Sequence, residues 1–530
     1  MTDGAAASIL DDADCERLRS LVRTDGDRES LAVEAPYTGE SIGTVPHCTL
    51  ADVDRAVERA REAQESWAER SVDERAATLR SVADEILAHR AELLDLVQLE
   101  TGKARFDALE EVLDIVVTAD YYGRRGPDFL ASTRRTGAIP LLTKTVEHAH
   151  PVGVVGLIEP WNYPLTLAVS DALPALLAGN GVVLEPAEST PFVALRAVEL
   201  LESAGVPEGL VGVVTGEGAR LGEPLIAGVD HVTFTGSTAA GRDVAATAGE
   251  HLTDASLELG GKNAAVVLAD ADPETTARGL VNAGYANAGQ LCISTERVYV
   301  ERDAYESVLA AFVAATERRD LGATYDFGPD VGSLIGAEQL ATVQSHVADA
   351  RDRGATVEIG GEHRPDVGPY FFEPTILTDL PADATAATQE TFGPVVSVVP
   401  VADADEAVRR ANDTDYGLHA SVWTGDPARG ERVARRLEAG TVTVNDAYRA
   451  TWASTDAPMG GVGDSGIGRR HGRQGITKYT EPQTVATQRG HPLATPAALP
   501  NRLVAAGATA SVRAVRAVSA LRDWSPLGRE

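Results

Sequence analysis

The sequence predicts an α/β protein built from two parallel-sheet domains and a small β arm. Short apolar strands bounded by glycine alternate with helical stretches from Val152 to Thr235, and a second such series runs from Asn263 to Asn445. Strands that alternate with helices and are apolar along their whole length belong to parallel sheets covered on both faces. A third observation adds the arm. Residues Ala131 to His150 break the helical pattern with two polar, β-branched runs punctuated by Gly137-Ala138-Ile139-Pro140, which marks a hairpin or extended segment.

Residues 1–30 carry Asp11, Asp12, Asp14, Glu16, Asp25, Asp27 and Glu29, with apolar periodicity only around Leu18 to Val22. A loosely attached acidic lead-in is expected there. From Asp52 to Gln98, Val53, Val57, Ala60, Leu79, Val82 and Ile86 recur at three and four, as in two or three amphipathic helices. The first strand series is Val152 to Ile158, Gly181 to Leu184, Val211 to Val214 and His231 to Thr235, with helical stretches such as Thr190 to Ala204 between. The second is Asn263 to Leu268, Glu296 to Val300 and Gly440 to Asn445. Residues 491–522 hold Arg502, Arg513, Arg516 and Arg522 but no acid, and Val512, Val515, Val518 and Leu521 recur every three residues. That tail predicts an amphipathic helix, resting either on anionic lipid or on the acidic body of the protein. No internal repeat is visible.

The chain has 530 residues, 44% of them hydrophobic, which is enough for about three domains with substantial cores. No window reaches the roughly 18 uninterrupted apolar residues of a membrane span, and Met1-Thr2-Asp3-Gly4 does not begin a signal peptide, so a cytoplasmic protein is expected. Three scattered cysteines, Cys15, Cys48 and Cys292, suit a reducing compartment and argue against a disulfide framework. Cys48 reads as a small buried apolar residue. The net charge of -32 disfavours nucleic acid as a partner and points to a salt-rich, halophilic cytoplasm, where ions screen mutual repulsion. The lysines are only Lys103, Lys144, Lys262 and Lys478, so Lys262, inside a glycine motif, is not surface decoration.

Thirty-four residues separate Glu258, in Glu258-Leu259-Gly260-Gly261-Lys262-Asn263, from Cys292, in Asn287-Ala288-Gly289-Gln290-Leu291-Cys292. A thiol beside glycine is a candidate nucleophile, and a carboxylate on a glycine-flanked turn can serve as its general base. Phe234-Thr235-Gly236-Ser237-Thr238 ends a strand and opens a helix with Gly241 in its first turn, so backbone N–H groups, the Ser237 hydroxyl and the helix dipole could meet a pyrophosphate. Gly216-x-Gly218-x-x-x-Gly222 has one residue too many for the common dinucleotide fingerprint, and Glu185-Pro186-Ala187-Glu188 follows a strand where a doubly wound sheet places its crevice. Pro160-Trp161-Asn162-Tyr163-Pro164 reads by itself as a rigid turn. The eleven histidines are dispersed, and His148-x-His150 lacks further ligands nearby, so no metal site is expected. Serine-hydrolase and P-loop motifs are absent, and a thiol esterase using Cys292, Asn162 and Glu258 without a dinucleotide is the rival reading.

Together these motifs resemble the NAD(P)-dependent aldehyde dehydrogenase superfamily over about residues 30–485. The resemblance implies an aldehyde dehydrogenase fold: a Rossmann-like cofactor domain at 31–130 and 151–260, a catalytic domain at 261–460, and an arm at 131–150 and 470–488 that makes a homodimer or homotetramer. It implies Cys292 as nucleophile, Glu258 as base and Asn162 as oxyanion donor beside the Cys292 N–H, each such donor contributing roughly 3–4 kcal/mol. Cofactor contacts carry over to Trp161, Asn162, Glu185, Glu188, Gly216, Gly236, Ser237, Leu259, Glu390 and Phe392, the last two within Glu390-Thr391-Phe392-Gly393-Pro394. Pro458-Met459-Gly460-Gly461 and Ser465-Gly466-Ile467-Gly468-Arg469 match a late glycine-rich motif. Glu188 falls where a carboxylate binds the adenosine ribose and repels a 2′-phosphate, which favours NAD over NADP. Glu185 stands where the family usually has lysine and strengthens that repulsion. Leu165 to Asp171, Asn287 to Ser294 and Tyr479 to Thr484 look most like succinate-semialdehyde dehydrogenases, whose two carboxylate-binding arginines fall at Ser170 and Ala286 here. The expected substrate is therefore succinate semialdehyde held by another basic residue, or else a neutral aliphatic or aromatic aldehyde.

Overall fold

Runs such as Gly181-Val-Val-Leu-Glu-Pro and His231-Val-Thr-Phe-Thr bury every residue, as strands in the middle of a covered parallel sheet must. In the computed structural model, which describes residues 9–139, 142–489 and 499–523, they belong to a six-stranded sheet. Its order is Gly466–Ile467, Asp254–Glu258, His231–Thr235, Val154–Glu159, Gly181–Pro186, Val211–Val213. The last five are parallel, and the short Gly466–Ile467 strand is antiparallel to its neighbour. Counted along the chain, these five stand 3-2-1-4-5 across the sheet, so the winding reverses between Val154–Glu159 and His231–Thr235. Beyond the carboxyl ends of those two strands lies the crevice where such sheets bind ligands.

A second sheet has seven strands in the order Thr356–Ile359, Thr375–Thr378, Val395–Val401, Thr295–Glu301, Asn263–Val267, His419–Trp423, Thr441–Val444. All pairings but the first are parallel. The periodic stretch after Asp52 is three helices, Leu50–Ala68, Val72–Ala88 and Arg90–Thr101, and the second of them starts at a Ser71/Glu74 capping box. Both sheets belong to one compact unit, residues 1–131 and 149–481.

Three expectations are corrected. The acidic lead-in is docked: Asp11 caps a helix over Asp12–Arg19, and Leu10, Leu18 and Val22 enter the same core as the first sheet. Three apolar residues suffice for that, too few to register as a period. Glu258 is not on a turn but ends a strand, because pairing with Thr235 on one side and Gly466 on the other keeps the backbone extended through it. Residues 470–479 are not part of a strand: Gly472–Thr477 is a helix with Ile476 in the core, and the strand begins at Thr480.

The other unit comprises residues 132–148 and 482–530. Thr133–Arg135 runs antiparallel to Thr143–Pro151, and Thr480–Gln488 completes a three-stranded sheet as its other edge. Pro140 and the tail residues 491–498 and 524–530 lie outside the described residues. The tail helix spans Asn501–Asp523, with Val512 and Val515 exposed; the side chains of Val518 and Leu521 are outside the described set. Among the described residues no helix is long and apolar enough to cross a membrane.

Candidate active site

Cys292 sits in a tight turn ahead of the Thr295–Glu301 strand. Asn287, Ala288 and Gly289 all have left-handed backbones, and a Cβ on Gly289 would lie 2.1 Å from the Gly393 carbonyl oxygen, so only glycine fits there. Polar side chains hold the turn. Asp107 accepts from the Asn287 N–H at 3.0 Å, Asn287 Nδ2 donates to the carbonyls of Asn162 and Gln290 at 3.0 Å, and Asn263 Nδ2 donates to the Cys292 carbonyl at 2.8 Å. The half-buried thiol packs beside Tyr163, Leu167, Leu291 and Ile293. Burial, helped by Glu258 and Glu390, pushes the thiol up to about 12 against the pull of Arg470, so the resting group is neutral.

Glu258 lines the same cleft, a space of about 270 Å³ that also takes in Trp161, Asn162, Gly236, Ser237, Leu259, Glu390 and Phe392. Burial raises its carboxyl to about 7, with Arg470 and Lys478 opposing, which places its titration where a general base is most useful. Asn162 follows the Val154–Glu159 strand and is clamped through its backbone carbonyl, which accepts from Lys103 Nζ at 2.7 Å. One Nδ2 hydrogen goes to the Gln290 carbonyl at 3.1 Å, leaving the other available. The Cys292 N–H donates to no group among the described residues. Two donors beside the thiol are therefore available to an oxyanion.

An adjoining cleft of about 500 Å³ shares Trp161, Gly236 and Gln339 with the first and continues past Glu185, Glu188, Gly216 and Gly218, at the point where the sheet winding reverses. Its chemistry fits a dinucleotide. Side chains are missing where a backbone approach is needed: a Cβ on Gly260 would meet Glu390 Oε2 at 2.2 Å, and one on Gly216 would meet His47 at 2.7 Å. Ser237 caps the Thr238–His251 helix by accepting from the Ala240 N–H at 3.2 Å, which leaves its own O–H to donate at a positive helix terminus. Glu390 accepts from the Gly261 N–H at 2.9 Å, and Phe392 meets Trp161 edge-on at 5.5 Å. Glu188 is exposed on a turn. Glu185 is buried with one oxygen unpartnered, and burial together with Glu188 raises it to about 8. Burial thus works against the negative charge that its expected part in repelling a 2′-phosphate requires.

Several residues that hold the site went unrecognised in the sequence. Lys103 is fully buried between Glu111 and the Asn162 carbonyl, and Glu111 accepts from the Leu165 and Thr166 N–H groups at 2.9 and 3.0 Å. Glu296 pairs with Lys262 and accepts from the N–H groups of Thr391 and Phe392, so Lys262 anchors the Glu390 segment. Gln339 donates to the Phe392 carbonyl at 2.8 Å. Lysine scarcity was the one signal, and it applied to Lys103 as much as to Lys262. Neither Ser170, whose Oγ donates to Asp114 at 2.7 Å, nor Ala286 brings a cation to the thiol. Arg449 instead lines an apolar cleft of about 170 Å³ with Leu113, Val117 and Trp452, and it donates to Glu110 at 2.5 Å. Trp452 packs edge-on against Tyr163 at 5.4 Å, next to the thiol's apolar wall. Among the described residues no group of three or more His, Cys, Asp or Glu is arranged to hold a metal ion.

Residues 22–485 match the model of the aldehyde dehydrogenase family. A Mycobacterium tuberculosis (strain H37Rv) protein named "Putative succinate-semialdehyde dehydrogenase [NADP(+)] 2" is 48% identical over 487 residues, covering 92% of this chain and 94% of that protein. Glutarate-semialdehyde dehydrogenase of Pseudomonas aeruginosa is 36% identical over 455 residues, covering 86% and 93%. The solved structure of betaine aldehyde dehydrogenase from Staphylococcus aureus in complex with NAD+ superposes with a TM-score of 0.84 at 33% identity, covering 88% of this chain and 92% of that one. The α/β fold, the two clefts and the match over most of the chain agree: this protein belongs to the aldehyde dehydrogenase family, whose members oxidise aldehydes with a pyridine nucleotide.

Proposed function

We propose that this protein oxidises a short aldehyde carrying a distal carboxylate, succinate semialdehyde first, to the acid, with Cys292 as nucleophile and Glu258 as base. The observation that carries the reading is the meeting of Cys292, Glu258 and the free donors of Asn162 and Cys292 on one cleft. Because the resting thiol is neutral, its proton must leave as sulfur bonds to the aldehyde carbon, and Glu258 is the base at hand. Asn162 and the Cys292 N–H then stabilise the thiohemiacetal oxyanion. A nicotinamide held near Glu390 and Phe392 supplies the hydride acceptor. Glu258, having released the thiol's proton to solvent, next takes one from water, which attacks the resulting thioester; the sulfur leaves and takes that proton back from Glu258, freeing the acid and the thiol.

For the cofactor we propose NAD as the preferred form, supported by Glu188 at the ribose end of the wide cleft. The mycobacterial relative is named for NADP(+), so the ratio of kcat/KM for the two cofactors is the direct test. For the substrate, Arg449 is the guanidinium we assign to the distal carboxylate, with Glu110 yielding to it. The pairing of Arg449 with Glu110 and the apolar walls of Leu113, Val117 and Trp452 favour a second reading, a neutral aldehyde. Comparing kcat/KM for succinate semialdehyde, butanal and benzaldehyde at equal salt decides between them; equal or better use of the uncharged aldehydes defeats the first. We further propose that the enzyme is cytoplasmic and homo-oligomeric through the arm, whose edge strand Thr480–Gln488 is exposed from Glu481 to Thr487.

A further inference from the structure

The last segment of the chain takes no part in the chemistry above, and its composition breaks with the rest. Acids occupy 79 of the 530 positions, which would put about six in any 41 residues, yet residues 482–522 hold none and carry Arg489, Arg502, Arg513, Arg516 and Arg522. The lack of any carboxylate over that length, beyond the surplus of arginine, suits contact with a surface that is negative throughout. Trp524 follows in the sequence, a residue type that favours the boundary between an apolar layer and a wet one.

The helix Asn501–Asp523 sorts its residues by side. At 3.6 residues per turn Arg502, Arg513 and Arg516 fall within about 60° of arc, while Leu503, Val504, Val512 and Val515 spread over about 180° centred on the opposite side. Ser511 lies within the apolar side and donates its hydroxyl to the Gly507 carbonyl at 3.0 Å, so that hydroxyl is satisfied inside the helix. Among the described residues nothing covers either side. From 501 to 517 every residue except the half-buried Val504 is exposed, and Leu503, Val512 and Val515 are each more than half exposed. Arg502, Arg513 and Arg516 make no ion pair or hydrogen bond among the described residues.

Three occupants differ in what they satisfy. The acidic body of a second copy would pair the arginines and leave the apolar side in water. A second copy of the helix would bury the apolar side and leave the arginines without counter-charge. An anionic bilayer surface takes both at once, because the apolar side sinks into the acyl boundary as the arginines reach headgroup phosphates. Screening sharpens the choice. At 1 M salt the Debye length is about 3 Å, so attraction survives only between groups in contact, and a planar guanidinium makes such a contact with phosphate through two parallel hydrogen bonds. The same screening quiets the repulsion between the membrane and a protein of net charge -32. We propose that the Asn501–Asp523 helix is a surface anchor, which lies in the interface of an anionic lipid bilayer with its apolar side down and brings the dehydrogenase to the membrane without spanning it.

The test uses the full-length protein in 1 M KCl, floated with vesicles of phosphatidylglycerol and phosphatidylcholine in equal parts and with vesicles of phosphatidylcholine alone. The parent should bind the anionic vesicles roughly tenfold or more above the zwitterionic ones. The double change Val512→Asp with Val515→Asp, and the triple change Arg502→Gln with Arg513→Gln and Arg516→Gln, should each lower that binding by roughly tenfold or more. Val512→Leu with Val515→Leu should bind at least as well as the parent. Aldehyde oxidation in vesicle-free solution and the mass of the oligomer by light scattering should stay at parent values throughout. No flotation of the parent overturns the proposal, as does binding that neither set of changes weakens. Equal binding to both kinds of vesicle overturns it too, since the arginines would then have no part. A loss of oligomer mass in the variants, without lipid binding by the parent, would assign the helix to a second copy instead. The two sets of changes lie on opposite sides of the helix, so if one variant fails to fold, the other carries the decision.

Discussion

At the scale of single residues the site depends on what each polar group is left free to do. Asn162 commits one N–H to the Gln290 carbonyl and keeps the other, so Asn162→Ala should lower kcat/KM for the aldehyde by about 10²–10³, the usual consequence of losing one oxyanion donor. A loss below tenfold would take Asn162 out of the oxyanion site. Glu258 must be ionised to take a proton, and burial raises its carboxyl to about 7, so turnover should fall as pH drops through 7 and level off above it. A pH profile of kcat flat from 5 to 8 would contradict that. The thiol, raised to about 12, should react with iodoacetamide in the cofactor-free enzyme at a rate still rising past pH 9.

At the scale of elements, the carboxyl ends of the central strands present the chemistry and buried ion pairs hold those ends in place. Lys103 and Glu111 form one such pair, and Glu111 satisfies the first N–H groups of the Pro164–Ala178 helix. Lys103→Met should destabilise the protein by about 3–5 kcal/mol by stranding the buried Glu111 charge, read from the denaturant midpoint. Much at this scale was legible in the sequence. The strands His231–Thr235 and Asn263–Val267 stood out because burial on both faces makes every residue after the first apolar or small, and the residues on the clefts stood out because glycines cluster where a backbone must come close. What stayed hidden depends on partners remote in the chain. Glu258 read as a turn residue because its strand pairs with Gly466–Ile467, far downstream, and Leu18 read as part of a loose lead-in because its core contacts come from the first domain. Lys103 carried no motif; its meaning comes from Glu111 and Asn162 closing around it.

For the whole molecule, the net charge of -32 requires screening, and the Debye length falls from about 10 Å at 0.1 M salt to about 3 Å at 1 M. Raising KCl over that range should lift the melting temperature by about 5 °C or more; a fall would contradict adaptation to a salt-rich interior. Across all scales the central claim is that a thiol in a dinucleotide-lined cleft turns aldehyde into acid. The most direct measurement is reduced nicotinamide formed with succinate semialdehyde by the parent enzyme and by Cys292→Ala, alongside cofactor binding to each. The account predicts one acid per reduced nicotinamide in the parent, no turnover in Cys292→Ala, and undiminished cofactor binding in both; comparable turnover in Cys292→Ala, or acid formed without any cofactor, would contradict it.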